Sequence, residues 1–335
     1  MKILMIIAGP KTKASSRVRA YWLAEALKIH KVRCKLIHPK SAVQLFKLMF
    51  IIWKYRVVFF QKSYSIYDYY VLRIANAMGK TTILDIDDSP SKSNNPKTLA
   101  NFRMMATHAT AVFAGSKNLL YLVQSPQNNA YLIPSSILLK HYPKPVEKKT
   151  HDVCIGWIGN GAHYKDDLIQ ILYPALKAID SNVTVKLKLV GASGQMELLN
   201  TFSLLPNVQL EIVDTIDWSN PTAVRAQIGS FDIGVYPLID NDFNTYKCGF
   251  KALEYMALYI PVISSDVAIN SSIIDHGNTG ILASSKEEWT QALNSLINKP
   301  DLRKKMGEAG REKVENEFSM FITAQKVMDI VTKYG

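Results

Sequence analysis

Short apolar segments alternate with segments of helical apolar spacing along nearly the whole chain, and this alternation restricts the fold more than any other sequence feature. Residues 2–8, 57–61 and 111–114 are apolar without polar alternation, so strands built from them must be covered on both faces. Between such segments the apolar period is helical; Val18, Trp22, Leu23, Ala26 and Leu27 mark a helix over residues 16–28. Strands are expected at 2–8, 33–38, 57–61, 81–85, 111–114 and 130–133. The pattern restarts at 153–157, with further strands at 186–190, 209–213, 233–236, 262–264 and 280–282. This predicts an α/β protein of two doubly wound, parallel-sheeted domains. A length of 335 residues, about twice that of a common single domain, agrees. The expected division is a first domain over 1–145, a second over 146–315, and a C-terminal helix over 316–335 packing back toward the first. The stretch 141–152, with Pro143, Pro145 and lysines, is the expected linker. Two such domains are expected to face a central cleft at the carboxyl ends of their sheets.

Composition narrows the function classes. At 48% hydrophobic and 20% charged residues, the chain can bury two cores, which excludes a disordered or low-complexity protein. The formal net charge of +12 implies an anionic partner: phosphate, an acidic lipid surface or nucleic acid. The positive charge is dispersed, with no basic helix or aromatic-rich RNA motif, which argues against nucleic acid. Cys34, Cys154 and Cys248 lie far apart without CxxC spacing, which fits a reducing compartment better than a disulfide scaffold or zinc site. No His-x-x-x-His spacing is present, and no obligatory metal is expected. The first residues close on Gly9-Pro10 and read as a buried strand, not a signal peptide. The longest apolar runs, such as 48–53, fall far short of the ~18 residues that span a bilayer. A cytosolic protein, or one bound to the inner face of a membrane, is expected. Between Lys40 and Lys62, Lys47, Lys54 and Arg56 interleave with Leu45, Phe46, Leu48, Phe50, Ile51 and Trp53. Two readings of that stretch stand side by side, an anionic membrane contact and a core helix with solvated lysines.

Two segments have the makings of a phosphate site. Gly159-Asn160-Gly161-Ala162-His163-Tyr164 follows a strand and precedes a helix, so bare backbone and a helix N-terminus can meet an anion; a plain tight turn has the same pattern. Tyr164 stands where a dinucleotide fingerprint needs its third glycine, and Gly9-Pro10 departs further, which weighs against an NAD-dependent oxidoreductase. His163 reads as a capping or surface residue. The second segment runs from Tyr246 through Gly249 into a helix carrying Lys251 and Glu254 one turn apart. One helix face there offers a cation for phosphate and a carboxylate for ribose hydroxyls; a surface Lys–Glu pair has the same spacing.

This second segment, with Ile260-Pro261-Val262-Ile263 after it, resembles the C-terminal signature of family 4 glycosyltransferases. Gly249 and Glu254 match that signature's glycine and second glutamate, and Tyr246 stands where its first glutamate would be. Lys251 with Glu254-Tyr255-Met256-Ala257 is similar to the Asn-Lys-Leu-Phe-Glu-Tyr-Met-Ala variant of a subgroup. Ser15-Ser16-Arg17-Val18-Arg19, Asp85-Ile86-Asp87-Asp88, Gly156-Trp157-Ile158-Gly159 and Asp232-Ile233-Gly234-Val235-Tyr236-Pro237 fall in the family's order.

The resemblance implies a retaining, sugar-nucleotide-dependent enzyme with two Rossmann-like domains (GT-B), the first binding acceptor and the second donor. It implies that Glu254 binds the donor ribose, that the backbone at Gly249 and Phe250 binds the diphosphate, and that Gly9 lets the first domain approach it. The family's Arg-x4-Lys clamp becomes Asn160 and Lys165 here, with Lys251 able to restore the charge. Asp87 or Asp88 falls where the family often faces the transferred sugar, and Asp242 is a substitute for the glutamate lost at Tyr246. The implied donor is a UDP- or GDP-sugar with no separate cofactor, and the implied acceptor a glycan or lipid-linked molecule. Other GT-B enzymes, either an inverting transferase or a sugar-nucleotide epimerase, and a non-catalytic protein that binds nucleotide sugars or nucleic acid, are the alternatives.

Overall fold

The computed structural model describes residues 1–89, 95–124, 129–144, 152–180 and 182–334. The central part of the expected linker, 145–151, lies outside them. The chain divides into unit 1, Met1–Leu138 with Tyr246–Cys248 and Phe318–Gly335, and unit 2, Leu139–Thr245 with Gly249–Glu317.

Unit 1 contains β1 (Lys2–Ile7), β2 (Arg33–Ile37), β3 (Val57–Gln61), β4 (Thr81–Ile86), β5 (Ala111–Ala114) and β6 (Ala130–Leu132). They form one parallel sheet in the order β2-β1-β3-β4-β5-β6. Every residue of β3, β4 and β5 is buried, as unbroken apolar runs require when helices cover both faces. Side-chain caps start the helices after β2 and β3: Ser41 accepts from the Gln44 amide, and Ser65 forms a capping box with Asp68. The last helix, Met320–Lys333, is tied to this unit by Met320 N donating to Ile137 O at 2.8 Å and by the Ser136–Thr323 hydroxyl pair at 2.6 Å.

Unit 2 contains β7 (Cys154–Ile158), β8 (Val185–Val190), β9 (Val208–Val213), β10 (Ile233–Tyr236), β11 (Val262–Ser265) and β12 (Gly280–Ala283). Their order is β12-β11-β10-β7-β8-β9, again all parallel. Trp157, Leu187, Leu189, Phe202, Trp289 and Leu293 lie in its core. Both units are therefore Rossmann-like and doubly wound, as the alternation predicts.

Each sheet reverses its winding once, between β1 and β3 in unit 1 and between β7 and β10 in unit 2. The crevice outside the carboxyl ends of the strands at such a reversal is where open α/β sheets take ligands. The helical stretches after β1 and β7 share a further feature. Each contains a π turn, Arg17–Trp22 and Leu168–Leu172, that begins ten residues beyond the end of its strand.

Candidate functional site

In unit 2 the chain leaves β7 into Gly159-Asn160-Gly161, at the winding reversal. The space beside these glycines is filled by the protein itself. A Cβ on Gly161 would lie 2.2 Å from Ala192 O, and its amide donates to Gly191 O at 2.7 Å. A Cβ on Gly159 would meet the Trp157 ring at 2.6 Å and the Lys251 stem at 2.7 Å. Asn160 caps the helix, its Oδ1 accepting from Ala162 N at 3.1 Å. The expectation of bare backbone open to phosphate thus meets a different geometry at Gly161. There, missing side chains let two backbone turns pack against each other.

Gly159 instead makes room for Lys251. The Lys251 ammonium lies 3.6 Å from the centre of the Tyr164 ring, 5.0 Å from that of Tyr236 and 5.7 Å from that of Trp157. Three aromatic faces thus hold one cation at the carboxyl ends of β7 and β10. Its helix, Phe250–Ala257, starts at Gly249 with φ +62°, the left-handed region that glycine enters without strain. A Cβ there would also fall 2.2 Å from Ile273 Cδ1. Beside it is Asn270, fully buried, whose Oδ1 has no hydrogen-bond partner among the described residues.

Glu254, one turn along, is 7% exposed and accepts a hydrogen bond from the buried Tyr142 hydroxyl at 2.7 Å. Lys165, expected in the cationic clamp, is ion-paired with Glu197. His163 is exposed, as its surface reading requires, and Asp242 is exposed on the loop after β10. That loop is fastened by the buried Asp167, which accepts from Ile239 N at 2.7 Å and Asn244 Nδ2 at 2.8 Å. A separate cavity of about 460 Å³ opens beyond β10, β11 and β12, lined in part by Asp240, Asp266, Lys286 and Trp289. Gly159, Gly249, Lys251 and Glu254 are not among its lining residues.

Gly9, Asp87, Asp88 and Tyr246 belong to unit 1. A Cβ on Gly9 would sit 2.6 Å from the Lys13 stem. Lys62, just past β3, reaches Asp87 at 3.2 Å and Asp88 at 3.5 Å. Burial works against its charge, but the two carboxylates outweigh burial and raise its pKa. Cys248 donates to Asp87 O at 3.1 Å, and Gly115 is bare where a Cβ would lie 2.6 Å from that sulfur. Burial first, then Asp87, pushes the thiol well up, so Cys248 stays protonated and packs as a small apolar group. Tyr246, expected near the donor sugar, packs against the apolar core of unit 1. Beneath these groups Arg19 holds Asp85 with two hydrogen bonds, 3.1 and 2.5 Å, and donates to Ile133 O at 2.6 Å.

Sequence reasoning missed the rings around Lys251, the Tyr142–Glu254 bond and the Arg19–Asp85 pair. Their members are distant in sequence; the one signal for the last pair was that Arg19 and Asp85 both lie in segments that carried the resemblance. Among the described residues no group of three or more His, Cys, Asp or Glu is placed to hold a metal ion. No described helix is long and apolar enough to cross a membrane.

Residues 152–299 match the family of Glycosyl transferases group 1. This segment includes the β7 turn, Lys251 and Glu254. A capsular polysaccharide biosynthesis glycosyltransferase, CapM of Staphylococcus aureus, is 28% identical over 191 residues, 52% of this chain and 46% of that protein. The alpha-maltose-1-phosphate synthase of Mycolicibacterium smegmatis is 34% identical over 93 residues, 25% of this chain and 24% of that protein. These matches span from a quarter to just under half of the relatives' lengths. Among solved structures, Anabaena HepE in complex with UDP and glucose superposes with TM-score 0.75 at 13% identity, covering 99% of this chain and all of that one. Sucrose-phosphate synthase from Thermosynechococcus elongatus gives TM-score 0.73 at 16% identity, covering 99% of this chain and 98% of that one. At these identities the likeness is one of fold: two Rossmann-like domains, as in GT-B glycosyltransferases.

Proposed function

We propose that this chain is a glycosyltransferase that moves a sugar, with retention of anomeric configuration, from a nucleotide-sugar donor to a surface-polysaccharide or lipid-linked acceptor. The observation that carries the reading is the Lys251 ammonium, held among three rings beside the β7 turn at the winding reversal of unit 2. Breaking a sugar–phosphate bond loads negative charge on the departing diphosphate, and a fixed cation at a helix start stabilises charge where it develops. The surrounding rings limit the conformations of Lys251, so little reorganisation accompanies the reaction.

In this reading the backbone at Gly249 and Phe250 binds the diphosphate and Glu254 binds the ribose hydroxyls. The bond between the anomeric carbon and the phosphate oxygen breaks, and a bond to the acceptor hydroxyl forms on the same face. The hydroxyl proton passes to the departing phosphate, so no side-chain base is needed. The match of residues 152–299 to Glycosyl transferases group 1 supports the reaction class. The UDP and glucose bound by HepE support a uridine nucleotide, with GDP the other candidate, and the naming of CapM for capsular polysaccharide supports the acceptor class.

The test is a screen of UDP- and GDP-sugars with the product anomer read by NMR. Transfer or slow donor hydrolysis that keeps the donor's anomeric configuration is expected. An inverted product contradicts retention, and no turnover of any donor contradicts the enzymatic reading.

A further inference from the structure

Unit 1 carries an outward face that a water-exposed helix pair should not have. In the helix Ala42–Ile52, Leu45, Leu48 and Ile52 point into the core, which leaves the opposite face for solvent. On a helix that only covers a sheet, that face is polar. Here it presents Val43, Phe46 and Phe50, with Trp53 just beyond, and the three aromatics are 61%, 69% and 61% exposed respectively. Phe46 and Phe50 stack edge to face at 6.3 Å. Trp53 turns its indole N–H onto Phe50 O at 3.0 Å, so its polar atom is satisfied and an apolar surface faces outward. The adjoining helix Ile66–Ala77 continues the surface with Tyr67, Tyr70 and Ile74 exposed. Between the two helices lies an apolar groove of about 510 Å³.

The charge around this surface has one sign. From Lys40 to Lys80 there are seven lysines and arginines and a single acid, Asp68, which is buried in the capping box with Ser65. Lys62 is engaged by Asp87 and Asp88, while Lys40, Lys47, Lys54, Arg56 and Arg73 are exposed. Lys54 lies 5.2 Å from the centre of the Trp53 ring, which keeps its ammonium at the border of the aromatic patch. Aromatic and aliphatic side chains flanked by lysines match the chemistry of an anionic bilayer surface: rings at headgroup depth, ammonium groups on the phosphates. A protein partner would have to supply both a large apolar face and an acidic rim.

We propose that the outward face of the helices Ala42–Ile52 and Ile66–Ala77 docks on an anionic lipid bilayer, with Phe46, Phe50 and Trp53 entering the headgroup region and Lys47 and Lys54 on lipid phosphates. The inference is independent of the reaction assigned to unit 2.

The experiment sediments the full chain with vesicles of equal parts phosphatidylglycerol and phosphatidylcholine, and with phosphatidylcholine alone. Binding to the anionic vesicles only, with a blue shift of tryptophan emission that Trp53→Phe removes, is the expected result. Phe46→Ser/Phe50→Ser is expected to weaken partitioning roughly tenfold or more. Lys47→Gln/Lys54→Gln is expected to weaken it by a similar factor at low salt. Circular dichroism and thermal unfolding identify any variant that has lost its fold, and the Trp53 emission of the unaltered chain tests the proposal without a folding change. The proposal is overturned if the chain sediments with neither vesicle, or with both equally. A lipid-free dimer that Phe46→Ser/Phe50→Ser converts to monomer also overturns it, since a second copy would then cover the face.

Discussion

The ammonium of Lys251 sits 3.6 Å from the centre of the Tyr164 ring, across the β7 turn from the helix that carries it. This contact helps place the ammonium of a half-buried lysine, and it is possible because Gly159 has no side chain in the path of the Lys251 stem. Lys251→Met keeps the stem and removes the charge. It is expected to lower kcat by roughly a hundredfold, the usual consequence of deleting one stabilising contact to developing charge. Tyr164→Leu keeps the charge and loosens its placement, so a smaller loss is expected. Steady-state transfer assays on both variants, with thermal unfolding alongside, separate a lost charge from a lost fold.

Gly249 is constrained twice, by its φ of +62° and by Ile273 2.2 Å from where a Cβ would stand. Gly79 has a similar φ of +67° with nothing within 4 Å of its Cβ position. Gly79→Ala therefore reports backbone strain alone, about 1 kcal/mol. Gly249→Ala adds overpacking and is expected to cost about 2–4 kcal/mol in all. Urea unfolding of the two variants measures the difference; equal losses would mean the Ile273 contact relaxes freely.

The bidentate Arg19–Asp85 pair is buried within unit 1. Burial lifts the Asp85 carboxyl to about 6 although Arg19 pulls it down, and it remains ionised at neutral pH. Arg19→Met leaves that carboxylate unpaired, at an expected cost of about 3–5 kcal/mol. In this variant the folded carboxyl titrates higher still, so stability should fall as pH rises above the unfolded value of about 4. Arg19→Met/Asp85→Asn should recover part of the loss and flatten the pH dependence. Denaturant unfolding across pH checks both statements.

Cys34 is half-buried, and burial pushes its thiol up to about 11 from an ordinary 9.0. The unfolded chain therefore loses this proton first as pH rises, and the contribution to stability is intact below about 9 and lost progressively toward about 11. Native protein should alkylate slowly at pH 8 and faster at pH 10, whereas denatured protein reacts readily at pH 8. Mass spectrometry after iodoacetamide treatment reads all three cysteines at once.

The strands were legible because a parallel strand covered on both faces is written as an unbroken apolar run; the expected 57–61, 111–114 and 233–236 coincide with β3, β5 and β10. Strand order was not legible, because neighbouring in a parallel sheet is decided by packing between segments far apart in sequence. The excursion of Tyr246–Cys248 into unit 1 was equally hidden, although Cys248 and Gly249 are adjacent. At the candidate site, the spacing of Lys251 and Glu254 placed both on one helix, Phe250–Ala257 in the structure. It did not reveal that one lies among rings and the other accepts a hydrogen bond from Tyr142, since those partners come from other segments, far away in sequence. The partner of Lys165 was hidden in the same way: its position in the sequence suited a clamp, and Glu197, more than thirty residues away, pairs with it. The π turns in the helices after β1 and β7 have no sequence mark that apolar spacing would detect.

The central claim is that unit 2 holds a nucleotide through the helix that begins at Gly249. Calorimetric titration of UDP and GDP into the full chain, its Glu254→Gln variant and its Lys251→Met variant tests it most directly. Binding of at least one of the two nucleotides, weakened roughly tenfold or more in both variants and absent for NAD, is the predicted result. Failure of both nucleotides to bind, or an affinity that neither substitution changes, would contradict it.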